Sequence, residues 1–242
     1  MIASAQVATN NARWCDAISR THGAPGELHD HLWLSRHPMP RFYPNVVTLS
    51  AQSGVTAQLA GVRELVDAAQ LGSFAVKDSF ASLDLAPLGF RVLFAATWLW
   101  RDTALPPPAI VDTGLRWTII GEPADLITWE AAWNGLPVDP VSPPLPAVFL
   151  PTLLADPDIQ FVAAYRDQQV VAGAIANRSG DVVGVSNVFA HTDAERSWAG
   201  CLATIIDAFP GLPLVGYERG EELGIAERLG FVAVGPLRVW AI

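Results

Sequence analysis

Apolar residues recur at helical spacing over residues 4–20, where Val7, Trp14 and Ile18 share one face, and "GAPG" at 23–26 ends the run. "LHDHLWLS" (28–35) then alternates as a strand should, and "YPNVVTLS" (43–50) predicts a second strand. A helix is expected over about 55–71, with Leu59, Val62, Val66 and Ala69 on its buried face, followed by the short strand "SFAV" (73–76). Residues 86–100, "APLGFRVLFAATWLW", read as a helix stop at Leu-Gly-Phe and then an apolar strand carrying tryptophan.

Beyond "ALPPPAI" (104–110), whose consecutive prolines favour an extended spacer, the pattern starts again. "LRWTIIG" (115–121) predicts a strand and "PADLITWEAAWNG" (123–135) a helix ended by Gly135. A proline-rich loop over 136–146 leads into "AVFLPTLLA", a short helix candidate. Three strands follow, at 160–167, 169–179 and 181–190, joined by turns tight enough to make them antiparallel neighbours. The strongest helical stripe is Trp198, Leu202, Ile205, Ile206 and Phe209, predicting a helix over 192–209 with Thr192 and Glu195 at capping-box spacing. A strand (212–218), a helix (221–229) and the closing strand "FVAVGPLRVWAI" complete the order β-α-α-β-β-β-α-β-α-β. The chain thus writes helix, Leu-Gly-Phe, strand, tryptophan twice, at 88–90 and 229–231. That repetition suggests a duplicated unit.

Composition narrows the reading. Of 242 residues 51% are hydrophobic and 16% charged, which excludes a disordered chain, and a net charge of −9 argues against nucleic acid as a partner. No apolar run approaches the ~20 residues of a membrane span, and the first residues lack a signal-peptide pattern, so a soluble cytoplasmic protein is expected. Cys15 and Cys201 stand far apart with no metal-binding spacing around them. His29 and His31 would share a face of their strand, but no third ligand accompanies them, and no metal is expected.

The element order over 114–242, with its ending of helix, Leu229-Gly230-Phe231 and strand, resembles the GNAT superfamily of acyl-CoA-dependent N-acyltransferases. The resemblance implies an α/β (α+β) fold, in which a GNAT-like mixed, mostly antiparallel sheet is flanked by helices. A second, truncated GNAT-like half would occupy 1–103, residues 104–113 would be a proline-rich linker, and 114–242 would be the acetyltransferase domain. It further implies acetyl-CoA as co-substrate and a small-molecule amine, or a peptide, as acceptor. A homodimer stays open.

In this family a loop between the fourth strand and the next helix, with the pattern Arg/Gln-x-x-Gly-x-Gly/Ala, offers backbone N–H groups to the cofactor's pyrophosphate. The matching stretch here is "NVFAHTDAERSWAGCLA" (187–203), which implies that Val188, Phe189, Ala190, Arg196 and Ser197 meet the cofactor. The match departs from the pattern: an ungapped count puts Asp193, Arg196 and Trp198 where Arg, Gly and Gly belong, and a shifted one gives Arg196, Ala199 and Cys201. Asp193 and Glu195 would oppose an anion. Many relatives protonate the leaving thiolate with a tyrosine four residues before the last helix-capping glycine; Ala226 stands there, and Tyr217 and Glu218 are the nearest substitutes for acid–base work. Ser186, Asn187 and His191 are further polar candidates around the fourth strand. Two functions remain open: an N-acyltransferase transferring an acetyl group, or a catalytically inactive GNAT-fold protein serving as a binding module.

Overall fold

The computed structural model describes residues 2–68, 74–110, 114–135 and 145–242. Two compact units emerge: Met1–Leu99 with Tyr217–Arg219 and Ala233–Ile242, and Trp100–Gly216 with Gly220–Val232.

The first unit opens with α1 (Ile2–Thr21), whose apolar face buries Val7, Trp14 and Ile18 as the spacing predicts. The single strand expected over 28–35 is instead a hairpin of β1 (Glu27–Leu28) and β2 (Leu32–Leu34), and His29–His31 form its turn. The alternation there came from turn residues, not from a half-buried strand. β3 (Val46–Thr48) pairs antiparallel with β2. A crossover through α2 (Val55–Asp67) brings β4 (Ala75–Asp78) parallel to β3. The predicted buried position Ala69 lies outside the described residues. Leu32, Leu34, Val46 and Val76 pack beneath α2, while Trp33 and Val47, on the other face, pack with Ala12 and Cys15 of α1. β5 (Arg91–Arg101) follows, and the sheet order runs β1-β2-β3-β4-β11-β5, where β11 (Val232–Ala241) is the closing strand of the chain. Asp78 pairs with Arg238 and Ala75 with Ala241 across the antiparallel β4–β11 ladder.

The second unit begins its sheet with β6 (Arg116–Ile119), followed by α3 (Pro123–Trp133). Strands β7 (Ile159–Arg166), β8 (Gln169–Ser179) and β9 (Val182–Ala190) form the predicted antiparallel run. Left-handed residues at Asp167 (φ 56°) and Gly180 (φ 61°) sit in its two-residue turns. After α4 (Ala194–Ala208), β10 (Leu214–Glu218) lies parallel to β9, and α5 (Gly220–Arg228) closes the unit. "AVFLPTLLA" is a 3-10 turn (Pro151–Ala155), too proline-limited for a full helix. α3 covers one face of the sheet, where Trp129 meets Phe149, Phe161 and Phe189 edge-on at 5.2–5.6 Å. Gly200 of α4 rests against the Trp117 ring of β6 with no room for a side chain. Trp129 and Trp133 therefore belong to this unit's own aromatic cluster.

The two Leu-Gly-Phe stretches share their geometry. Gly89 has φ 87° and Gly230 has φ 93°. In each, the glycine N–H bonds the carbonyl three residues back and the phenylalanine N–H the carbonyl five back (Ala86 and Leu85; Glu227 and Ala226). Phe90 and Phe231 are both buried, and the strands after them share one order of exposed and buried positions. The element before Gly89 is only a 3-10 turn, Ala86–Leu88, rather than the helix expected from sequence. At Gly230 an added Cβ would lie 2.8 Å from the Leu105 side chain as well as straining the backbone. Gly230→Val should lower stability by roughly 1–3 kcal/mol, read as an earlier thermal melt; an unchanged melt would contradict the left-handed cap.

Candidate functional site

On β9 the ladder to β8 is regular up to Ser186, opposite Ile175, and resumes at Phe189, opposite Gly173. Two residues, Asn187 and Val188, therefore face one, and Asn187 is left-handed at φ 53°. This is a bulge, which bends a strand and takes a residue out of the ladder. Before it β9 is buried; from Ser186 to Ala190 it is half-exposed. The parallel ladder to β10 covers only Val183 with Leu214 and Gly184 with Val215, although β9 continues to Ala190. An interior strand thus has a stretch of open edge. The buried Ser186 hydroxyl there has no partner among the described residues.

Phe189 points to the α3 face, against Trp129, so the neighbouring Val188 and Ala190 point to the α4 face. Gly173 has no room for a Cβ because the Trp129 and Phe189 rings meet over it. His191 ends the strand with its N–H bonded to the Val171 carbonyl (2.9 Å) and its Nε2 bonded to the Ala132 carbonyl (2.9 Å). That anchors the ring to the end of α3 and leaves it a structural tie.

The start of α4 differs from the predicted capping box. Asp193, not Thr192, is the N-cap, left-handed at φ 45°, and its carboxylate accepts the Arg196 N–H at 3.3 Å. The same carboxylate pairs with the Arg196 guanidinium at 3.2 Å. Ser197 is buried and donates its hydroxyl proton to the Thr192 carbonyl (3.1 Å), so its side chain is already committed. Glu195 pairs with Arg228 at 2.8 Å. Beside this first turn runs a groove of about 450 Å³ lined by Arg101, Pro106–Pro108, Glu195, Arg196, Arg228 and Gly230. The Arg101 guanidinium is buried and donates to the carbonyls of Leu229 (2.9 Å), Leu105 and Pro106. Burial pushes its pKa below the ordinary arginine value. Of these three arginines only Arg196 is expected from the sequence; Arg101 and Arg228 were missed, because they come from a strand end and another helix.

The remaining predicted residues, Tyr217 and Glu218, belong to the first unit. They are adjacent on β10 and so point to opposite faces. Tyr217 packs edge-on against Trp98 (5.4 Å), and its hydroxyl lies 3.4 Å from Lys77 Nζ. Val188, Phe189, Ala190, Arg196 and Ser197 are brought together in the second unit. Neither cysteine is a poised nucleophile: burial pushes the Cys15 thiol up to about 11 and Cys201 higher still. His29 contacts Glu27 and His31 contacts Ser50, and no cluster of three metal-ligating side chains occurs among the described residues.

Solved structures supply the comparison. A GCN5-related N-acetyltransferase from Kribbella flavida is 13% identical, covers 98% of this chain and 95% of its own, and superposes with a TM-score of 0.62. One from Sphaerobacter thermophilus is 11% identical over 98% of this chain and 93% of its own (TM-score 0.55). A tandem GNAT protein from the clavulanic acid biosynthesis pathway is 14% identical over 87% of this chain and 78% of its own (TM-score 0.54). No protein-family profile matches the chain, and no curated protein sequence does. The chain has the fold of the GCN5-related N-acetyltransferases: a large, mostly antiparallel mixed sheet flanked by helices.

Proposed function

We propose that the protein is an N-acyltransferase that moves an acetyl group from acetyl-CoA to the amine of a small molecule. The observation that carries this reading is the bulged, open-edged end of β9 (Ser186–Ala190), leading straight into a helix start beside an arginine-lined groove. Such an edge offers unladdered backbone groups to an extended acyl arm, and the groove offers cations to phosphates.

The fit of the cofactor's phosphates is with the groove rather than the helix tip. At the tip, Asp193 already holds the Arg196 N–H and guanidinium; Glu195 lines the groove itself but is paired there with Arg228. In the groove Arg196 and Arg228 project their guanidinium groups, and Arg101 carries a charge with no carboxylate partner among the described residues. Acetyl-CoA, when bound, supplies the activated acyl carbon. Val188 and Ala190 would hold the arm on the α4 face, and Arg196 and Arg228 would exchange their carboxylate partners for phosphate. Tyr217 as proton donor and Glu218 as acceptor of the amine proton through water stay the acid–base candidates, on opposite faces of β10 and with Tyr217 engaged by Lys77. We read the chain as a tandem of GNAT-like halves, the first truncated, in a cytoplasmic protein; the shared geometry at Gly89 and Gly230 supports the duplication.

One observation favours a second reading, a binding module without catalysis: α4 is capped by its own aspartate instead of a glycine-bare loop. Calorimetric titration of acetyl-CoA separates the two. Arg196→Ala and Arg228→Ala should each weaken binding by roughly 1–2 kcal/mol, the scale of a charge-assisted hydrogen bond, and Asp193→Asn should tighten it. If the parent binds and none of the three changes affinity, the groove is not the phosphate site. If nothing binds, the non-catalytic reading takes over.

A further inference from the structure

The first unit contains a pocket of about 420 Å³, inside the range of about 300–1,000 Å³ usual for small-molecule sites. Its wall is largely apolar, with Phe74, Leu93, Phe94, Val239 and Ile242, and among the described residues no aspartate or glutamate lines it. Lys77 of β4 does line it, although only 5% of that residue is exposed. An ammonium group so far from water is costly unless an anion compensates it.

Among the described residues Lys77 has only neutral partners. Lys77 Nζ donates to Asn11 Oδ1 at 2.9 Å and to the Tyr217 hydroxyl at 3.4 Å, and it lies 4.5 Å from the centre of the Tyr217 ring. An ammonium has three N–H donors, so one is left over. The neighbouring Asp78 points to the other face of β4, where its carboxylate accepts the backbone N–H groups of Ser82 (3.1 Å) and Leu83 (3.0 Å). Among the described residues no ion pair reaches Lys77. Arg41, also on the wall, makes the pocket more positive still, in a chain whose net charge is −9.

We propose that this pocket binds a small carboxylic acid with an apolar chain or ring, its carboxylate on Lys77 and its body against Phe74, Phe94 and Val239. A neutral ligand would leave the ammonium uncompensated. A phosphate dianion would bring a second negative charge, and a heavily hydrated group, into an apolar pocket. The pocket shares Tyr217 with the acyl-transfer reading, but a carboxylate held by Lys77 does not depend on that reading: the pocket lining lies in the first unit and the phosphate groove in the second.

The test uses the full chain and two probes of equal length, octanoate and 1-octanol, titrated calorimetrically at low salt without acetyl-CoA. Octanoate should bind one to one and at least tenfold more tightly than octanol. Lys77→Met should remove that preference, bringing octanoate down to the level of octanol. Because removing a buried lysine can disturb folding, Leu93→Glu gives an independent reading. Leu93 is 64% exposed on the pocket wall, so the substitution adds a negative charge at little cost to the core. It should weaken octanoate severalfold and leave octanol unchanged. Equal affinity for the two probes in the parent, no octanoate binding at millimolar concentration, a preference that survives Lys77→Met, or unchanged octanoate affinity in Leu93→Glu would each overturn the proposal.

Discussion

Residues 1–103, expressed without the rest of the chain, should give aggregated or molten protein rather than a cooperatively folding fragment. The reason is the place of β11. In the first unit the closing strand lies between β4 and β5, so the fragment would lack the strand that joins them. β11 also accepts a hydrogen bond from α1, Ser4 to the Val234 carbonyl at 2.7 Å. Leu237, Val239 and Trp240 of this strand are all buried. At roughly 1.5–3 kcal/mol for each buried side chain, they contribute on the order of 5–9 kcal/mol, comparable with the whole stability of an ordinary domain at about 5–15 kcal/mol. Circular dichroism with thermal melting reads the result. Joining 231–242 to the fragment through a flexible Gly/Ser linker should restore a cooperative transition. A sharp melt from 1–103 alone would show that β4 and β5 close the sheet by themselves.

That strand order was not legible in the sequence. The apolar runs over 160–190, separated by two tight turns, announced β7, β8 and β9, and the stripe from Trp198 to Phe209 announced α4. Both signals are local. Which Leu-Gly-Phe strand lies beside β4 is a long-range choice between two sequences with the same burial order, and periodicity holds no information about it. Local reading failed where the chain is irregular. The alternation through His29 and His31 belongs to a hairpin turn, and the cap fell to Asp193 because a left-handed residue there sets the helix start one position later.

The candidate site was legible in outline only. Family resemblance pointed to β9 and the start of α4, and the bulge and open edge are found there. It could not show that Ser197 would spend its hydroxyl on the Thr192 carbonyl, or that Arg101 and Arg228 would line the groove. Lys77 left one faint signal, a lone lysine in the apolar run "FAVKD", which a reading by alternation takes as the solvent end of a strand. Asn11 and Tyr217, its partners, are 66 and 140 residues away in sequence.

Glu130→Ala should destabilise the second unit strongly, although glutamate is ordinarily a surface residue of a helix. Glu130 is on the helix, yet only 8% of it is exposed. Its Oε1 accepts the Val148 N–H at 2.7 Å and its Oε2 the Phe149 N–H at 3.2 Å, so one carboxylate satisfies two consecutive buried amides. Those amides fix Phe149, whose ring meets Trp129, Trp133 and Phe161. Deleting the carboxylate takes the Glu130 acceptor from both donors, at about 1–3 kcal/mol each, and loosens the hold on a ring of the aromatic cluster. The expected loss is roughly 2–6 kcal/mol. Glu130→Gln keeps the shape and one acceptor oxygen but turns an NH₂ group toward the other amide, so its loss should be smaller than that of the alanine variant. Denaturant titration of the three proteins decides it. Equal stability of the alanine variant and the parent would mean that the Val148 and Phe149 amides find water instead, and that the carboxylate does not hold this segment to α3.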